Sequence, residues 1–382
     1  MKLTDEQLQE IKAHIHKLAL EHGFQDARVC DTSTEGYYPK LEQWIAEKRH
    51  GDMTFFERNQ NLRQNPQELH PGTARIISLR YDYLPENAKF STPLKDPNLA
   101  NVSRYALGRD YHKLMRKKLD KICQSLSEYF SLKDVIDFRV FVDSAPVMES
   151  CFAEKSGIGW KGKHTLIINP DAGSWFFLGE IFINLPLPVD QPIENQCGSC
   201  TACISICPTG AIIAPNKVDA TKCISYLTIE NKGGIPEDLR EKIGNRIYGC
   251  DDCQLACPWN RYAQTSTDKD FLPRNQLDEI SLFDLWRWSE SEFNENLAGT
   301  PIRRIGYQSW LRNLAVAIGN AEYSDEMIIA LELKMSEANE MVQEHIQWAI
   351  QQLNAKRLEQ MSLAKKTQRL IHCVTSMLPR DA

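Results

Sequence analysis

Cys197-Gly-Ser-Cys200-Thr-Ala-Cys203-Ile-Ser-Ile-Cys207-Pro208 is the stretch on which the reading of this chain turns. Its C-x2-C-x2-C-x3-C-P spacing is that of a run binding two [4Fe-4S] clusters. Three closely spaced thiolates cap three irons of one cube, and the fourth cysteine leads away to the other. A second run, Cys250-Asp-Asp-Cys253-Gln-Leu-Ala-Cys257-Pro258, has only three thiols. Cys223, between the runs, supplies the missing one. The swap then assigns Cys197, Cys200, Cys203 and Cys257 to one cluster, and Cys207, Cys223, Cys250 and Cys253 to the other. Structural zinc also accepts four thiolates, but zinc ribbons use two separated C-x2-C pairs. Cys30, Cys123, Cys151 and Cys373 have no partner pattern and read as ordinary buried or surface thiols.

The rest of the composition agrees with metal rather than disulfides. Eight of the twelve cysteines fall between positions 197 and 257. The N-terminus, Met1-Lys2-Leu3-Thr4-Asp5-Glu6, lacks the basic head and apolar middle of an export signal. No apolar stretch is long enough to span a membrane. A cytoplasmic protein is expected, in a compartment that keeps thiols reduced. The 382 residues predict two to three domains. A hydrophobic fraction of 42% can bury a real core, which excludes a disordered chain. With 45 Lys and Arg against 51 Asp and Glu, the net charge of -6 excludes a uniformly basic nucleic-acid coat.

Working outward, residues 4–22 predict a helix capped by Thr4 with Gln7 three residues on. Leu8, Ile11, Ile15 and Leu18 form its apolar stripe, and Gly23 stops it. From there to about residue 190, strand-like runs (76–79, 138–142, 165–168, 175–185) alternate with a helix over 111–130. This favours a mixed α/β arrangement within an overall α+β protein. Residues 186–196 read as a linker, and the pattern after about residue 275 is helical.

Two clusters alone make an electron carrier of the ferredoxin kind. Here more than 180 residues precede the module and more than 100 follow it, so the flanks must contribute a reaction or a partner. Val142-Asp143-Ser144-Ala145-Pro146 places a carboxylate at a strand end, where α/β folds put their chemistry, although a turn Asp is the blander reading. Gly157-Ile-Gly159-Trp160-Lys161-Gly162-Lys163-His164 could cradle a phosphate or an amide edge, or be a simple turn. Residues 101–130 hold seven Lys or Arg against three acids. With Tyr105, Tyr111 and His112 they suit phosphate contact and base stacking, or a solvated helix face. The last 28 residues carry six basic against two acidic side chains.

From about residue 5 onward the chain resembles the epoxyqueuosine reductases. The most specific pieces are Ser103-Arg-Tyr-Ala-Leu-Gly-Arg-Asp-Tyr-His112, Phe141-Val-Asp-Ser-Ala-Pro146, Cys223-Ile-Ser-Tyr-Leu-Thr228 and Gly244-Asn-Arg-Ile-Tyr-Gly-Cys-Asp-Asp-Cys253. The resemblance implies a cobalamin-binding catalytic domain over 1–186, related to the corrinoid part of reductive dehalogenases. It implies a two-[4Fe-4S] ferredoxin-like module over 187–262 and a helical, HEAT-like, tRNA-binding region over 263–382. It also implies reduction of epoxyqueuosine to queuosine at the tRNA wobble position, in a monomer fed by an external one-electron donor and needing no membrane. Asp143 matches the family's proton donor. Cobalamin contacts fall on Arg63, Ser103, Asp143, Lys163, His164, Ser225 and Asp251. Asp110-Tyr-His112 lacks the glycine of the D-x-H-x-x-G cobalamin motif, so that motif's lower cobalt ligand is not expected. An Asp with a reference pKa of about 3.9 needs a raised pKa to carry a proton, and burial against the corrin would raise it. The alternatives are a corrinoid reductase of a small organic substrate and a non-catalytic electron-transfer protein.

Overall fold

The computed structural model describes residues 3–86, 89–130 and 135–377. Arg380 and Asp381 of the basic tail lie outside the described residues, as does the Cys373 side chain.

The first helix, α1 (Asp5–Glu21), begins where the sequence places it. Thr4 accepts from the Gln7 N–H while the Gln7 side chain accepts from the Thr4 N–H. Leu8, Ile11, Ile15 and Leu18 are buried against a second helix, α2 (Tyr111–Tyr129), whose N-cap is Asp110. Both lie on one face of a four-stranded sheet made of β1 (Asp26–Cys30), β2 (Arg75–Asp82), β3 (Phe138–Phe141) and β4 (Phe176–Ile183). The strand order is β1-β2-β4-β3, and every neighbouring pair is antiparallel. The expected mixed α/β alternation therefore resolves into an antiparallel sheet. The rule for parallel strand ends has no purchase on it. Residues 165–168 shrink to a two-residue strand, Ile167–Ile168, because Thr165 turns with φ +77°.

A short helix, α3 (Glu149–Ser156), covers the opposite face of the sheet and packs Cys151 and Phe152 on Cys30, Ile76, Phe141 and Phe182. The pleat points Ser78 and Glu180 to this same face, and the Ser78 hydroxyl donates to Glu180 at 2.8 Å. β3 ends with Phe141 opposite Glu180, so the chain leaves the sheet two residues before Asp143.

A second core joins three stretches distant in sequence: Ala100 to Leu107, Ala220 to Tyr248, and Leu277 to Leu353. Its spine is α4 (Tyr307–Asn320), packed along the long helix α5 (Glu340–Met377). Gly319 permits the close crossing, since a Cβ there would meet the Trp348 ring at 2.4 Å. Arg312 of α4 is fully buried and donates to the carbonyls of Leu227, Asn231 and Gly233 at 2.6–2.8 Å. Burial lowers its pKa to about 10, which leaves it a cation at neutral pH. No helix of the described residues is long and apolar enough to cross a membrane.

Arg312 thus ties the helical region to the segment that follows Cys223. Arg312→Leu leaves three buried carbonyls unsatisfied, at about 1–3 kcal/mol each. A loss of at least about 3 kcal/mol in urea unfolding is expected, and an unchanged midpoint would contradict the role.

Candidate active site and cluster-binding cleft

The cysteine runs lie close together in space. Burial raises the Cys257 thiol, and Cys197, Cys203 and Cys200 raise it further, which places Cys257 beside the first three cysteines. Cys253 is raised by burial and by the charge of Cys223, with smaller contributions from Asp251, Cys203 and Cys207. Cys223 is raised by burial and lies within reach of Cys207. Backbone N–H groups aim at the sulfurs. The Ala211 amide donates to Cys207 Sγ at 3.3 Å, and the amides of Ser225 and Tyr226 serve Cys223. The Asp252 amide and the Arg246 guanidinium serve Cys250, and the Trp259 amide serves Cys257.

Crowded, half-buried thiolates repel one another unless metal cations lie between them. Among the described residues no three His, Cys, Asp or Glu side chains converge on a single-ion site. The donor chemistry and the N–H groups directed at sulfur suit two iron–sulfur cubes.

A cleft of about 450 Å³ opens between the second set of thiols and the sheet. Cys207, Cys223, Cys250 and Cys253 all line it, and Asp143 and Glu149 face the same space. Apolar walls come from Tyr83, Tyr105, Leu166, Phe176, Phe177 and Leu178. Gly249, at φ +68° and next to Cys250, packs directly on Ser103, where a Cβ would meet the Ser103 Cβ at 2.6 Å. The Ser103 hydroxyl donates to Asp251, which also accepts from the Arg104 amide at 2.9 Å.

His164 is 4% exposed and lines the cleft. Its Nδ1 accepts from the Leu166 amide at 3.2 Å, so Nε2 carries the hydrogen, and that buried donor has no partner. Burial lowers this imidazole to about 4, which keeps it neutral. An orphaned N–H in an apolar cleft fits a large ring edged with amide acceptors, and it cannot ligate a metal through Nε2 without losing its proton.

Asp143 stands at φ +56° on the loop after β3, with its side chain 58% exposed to the open cleft. Tyr111 donates to its Oδ2 at 2.8 Å, and His112 Nε2 lies 2.9 Å from the same oxygen. His112 Nδ1 lies 2.7 Å from Asp110 Oδ1, and Arg304 pairs with the other oxygen of Asp110. An imidazole with carboxylates at both nitrogens needs a hydrogen on each, so His112 and Asp143 share one mobile proton. Burial works against a charged His112, but the bonds to Asp110 and Asp143 outweigh it and raise its pKa.

Asp143 differs from the sequence expectation. Burial pushes its carboxyl up, yet the bonds from His112 and Tyr111 and the charges of His112 and Arg304 win, and the pKa lies below the ordinary carboxylate value. The raised carboxyl is its neighbour. Glu149 is pushed up to about 8, first by burial and then by the charge of Asp143. Glu149 opens α3, where the helix dipole favours an anion, but that effect is worth about 0.3–1 kcal/mol, less than one pKa unit.

Of the expected cofactor contacts, Ser103, Asp143, His164 and Ser225 line the cleft. Asp251 braces Ser103 from behind. Lys163 and Arg63 are placed elsewhere. Lys163 donates at 2.7 Å to the carbonyls of Gly198 and Cys200, holding the loop of the first cysteine set. Arg63 is buried on the carbonyls of Phe55 and Arg58 and stacks on Phe56. Tyr105 and Tyr111 are not free stacking platforms either. Tyr111 is sandwiched between His112 and Phe177, with ring centroids at 4.1 and 3.7 Å, and Tyr105 packs edge-on to Tyr111 and Phe177. Glu149, and the Asp110–Arg304 pair behind His112, had no separable signal in the sequence. They act only through partners up to 194 residues away.

Fold and site together define an iron–sulfur oxidoreductase whose second thiol set faces an acid-lined cleft. Residues 196–260 match the 4Fe-4S double cluster binding domain, and residues 63–144 match the family described as epoxyqueuosine reductase QueG, DUF1730. The chain is 52% identical over 378 residues to the epoxyqueuosine reductase of Salmonella typhimurium, covering 98% of this chain and 97% of the relative. It is 51% identical to that of Escherichia coli, covering 98% of each. A crystal structure of an epoxyqueuosine reductase with an epoxyqueuosine-modified tRNA-Tyr stem loop superposes with a TM-score of 0.74 at 26% identity, covering 91% of this chain and 100% of that one. The chain belongs to the epoxyqueuosine reductase family.

The two thiol sets separate by mutation. Cys257→Ser and Cys223→Ser, purified anaerobically, should each lose about half of the roughly eight irons that two [4Fe-4S] cubes hold. Loss of all iron from both variants, or of none from either, would contradict two distinct sets.

Proposed function

We propose that this protein reduces epoxyqueuosine to queuosine at the wobble position of tRNA anticodons, in the cleft between Asp143 and the Cys207, Cys223, Cys250 and Cys253 set. The observation that carries this reading is the shared cleft. Cys207, Cys223, Cys250 and Cys253 line the same space as Asp143 and Glu149. The balance is an epoxide plus two electrons and two protons giving an alkene and water. An external one-electron donor feeds the first cluster, and the second lies next to the cleft.

Cobalamin is the group that best suits the cleft. When bound it supplies a reduced cobalt centre able to open a strained carbon–oxygen bond, chemistry that side chains cannot imitate. Ser103, Ser225 and the Nε2–H of His164 would hold it, with Asp251 fixing Ser103. Asp143, ionised at rest, takes the proton it shares with His112 and relays it to the leaving oxygen. Tyr111 fixes the carboxylate and the Asp110–Arg304 pair fixes His112.

Cations beside the acid suit an RNA substrate. Arg116 donates to Ser144 Oγ at 3.2 Å, next to Asp143, and Arg304 is half exposed. Lys365, Lys366 and Arg369 are exposed on α5. In this reading residues 1–186, joined by Ser225, hold cofactor and wobble base, 187–262 conduct electrons, and 263–382 form a HEAT-like helical surface for tRNA. The protein works as a monomer in the reducing cytoplasm.

Asp143→Asn should bind the tRNA as wild type does and turn over about 10²–10⁴-fold more slowly, the usual worth of a general acid. Wild-type turnover in that variant would remove Asp143 from the chemistry. tRNA affinity should fall steeply with added salt as phosphate counterions are released. A salt-insensitive affinity would remove the electrostatic part of the reading.

A further inference from the structure

The reduction consumes two protons, and the hydrogen bonds around Asp143 account for one. It is the proton shared between His112 Nε2 and Asp143 Oδ2. The second has a candidate holder on the same wall. Glu149 lines the cleft, and its Oε1 accepts the Asp143 amide at 2.5 Å. Behind it, Glu180 is fully buried. One of its oxygens is bonded to Ser78 and the other has no partner. The titratable and charged groups that face Glu149 are Asp143 from the β3 loop and His112 and the neutral Tyr111 from α2, and Glu149 in turn faces Glu180 of β4. His112 already serves Asp110 and Asp143, and Arg304 serves Asp110. That leaves Asp143 exposed at the cleft and bonded to His112, with Glu149 and the buried Glu180 behind it and no salt-bridge partner for either among the described residues. Like-charged carboxylates sharing a site do not all ionise.

We propose that Glu149 is the proton-holding group for the second half of the reduction, and that it reloads Asp143 after the first transfer. This rests on the function proposed above. In the first half, the epoxide carbon–oxygen bond breaks, an electron pair supplied through the clusters is taken up at the freed carbon, and the oxygen takes the proton shared by His112 and Asp143 to become a hydroxyl. In the second half, Glu149 gives its proton to Asp143, and Asp143 passes it to the hydroxyl. The hydroxyl leaves as water, and the carbon–carbon double bond forms. His112 and Glu149 are then refilled from solvent through the open cleft. Burial and the neighbouring charge of Asp143 keep Glu149 neutral up to about pH 8, which supports the assignment.

The test has a readout independent of turnover. Infrared difference spectra of the cluster-loaded protein should contain a neutral-carboxyl C=O band that disappears as pH rises through about 8. The band should be missing in Glu149→Gln, which keeps an oxygen to accept the Asp143 amide but has no proton to give. In single turnover on epoxyqueuosine tRNA, loss of the epoxide in Glu149→Gln should outrun formation of queuosine. Water loss should slow by about 10²-fold, and the alkaline limb near pH 8 should be lost. Glu149→Asp should recover part of the rate. Iron content and circular dichroism matching wild type establish that the variants fold. A titrating band that persists in Glu149→Gln, or an alkaline limb and water-loss rate unchanged by it, would overturn the proposal while leaving the reductase reading intact. Wild-type protein with no turnover on that tRNA would instead sink the reductase reading itself.

Discussion

Repulsion among buried thiolates is the constraint on which the rest of this structure depends. Cys253 and Cys257 each sit among further cysteines, and burial raises the thiol pKa of both. The fold meets that cost with N–H donors aimed at sulfur and leaves room for inorganic cations to do the rest. Holding the second set in place recruits distant parts of the chain. Arg312 of α4 fixes the carbonyls just after Cys223, and Gly249, next to Cys250, packs directly on Ser103. This is why the core around α4 draws on residues 100–107 and 220–248 as well as on the C-terminal helices.

The opposite wall obeys the same electrostatics with the sign of the problem reversed. Two carboxyls a few residues apart are driven in opposite directions. Asp143 gains Tyr111, His112 and Arg304 and is held ionised, while Glu149 gains little but the Asp143 amide and is held neutral. Environments that pull neighbouring titrating groups apart are the usual means by which one site runs proton delivery near neutral pH. In the proposed reaction, proton delivery therefore runs through His112, Asp143 and Glu149 together.

Much of this was legible in the sequence, and the reasons differ by element. Cysteine spacing is a local ruler, so the runs from Cys197 and Cys250 and the lone Cys223 could be read directly. The capping box at Thr4 is likewise short-range, and α1 begins where it indicates. Strand pairing is not local, and the antiparallel order β1-β2-β4-β3 gave no sign in the alternation of runs. Side-chain chemistry alone also misled. Lys163 has the charge of a cofactor ligand, yet it spends that charge on the carbonyls of Gly198 and Cys200. Glu149 carries no motif, because its role follows from Asp143 and Glu180 being nearby in space.

The central claim is that the second thiol set and the acid wall serve one reaction space. Electron paramagnetic resonance of the anaerobic, cobalamin-loaded and partially reduced protein tests it most directly. The account predicts cobalt and cluster signals that are split by mutual coupling in wild type, with the coupling lost when Cys223 is replaced by serine. Two independent, unsplit signals in the wild-type protein would contradict it.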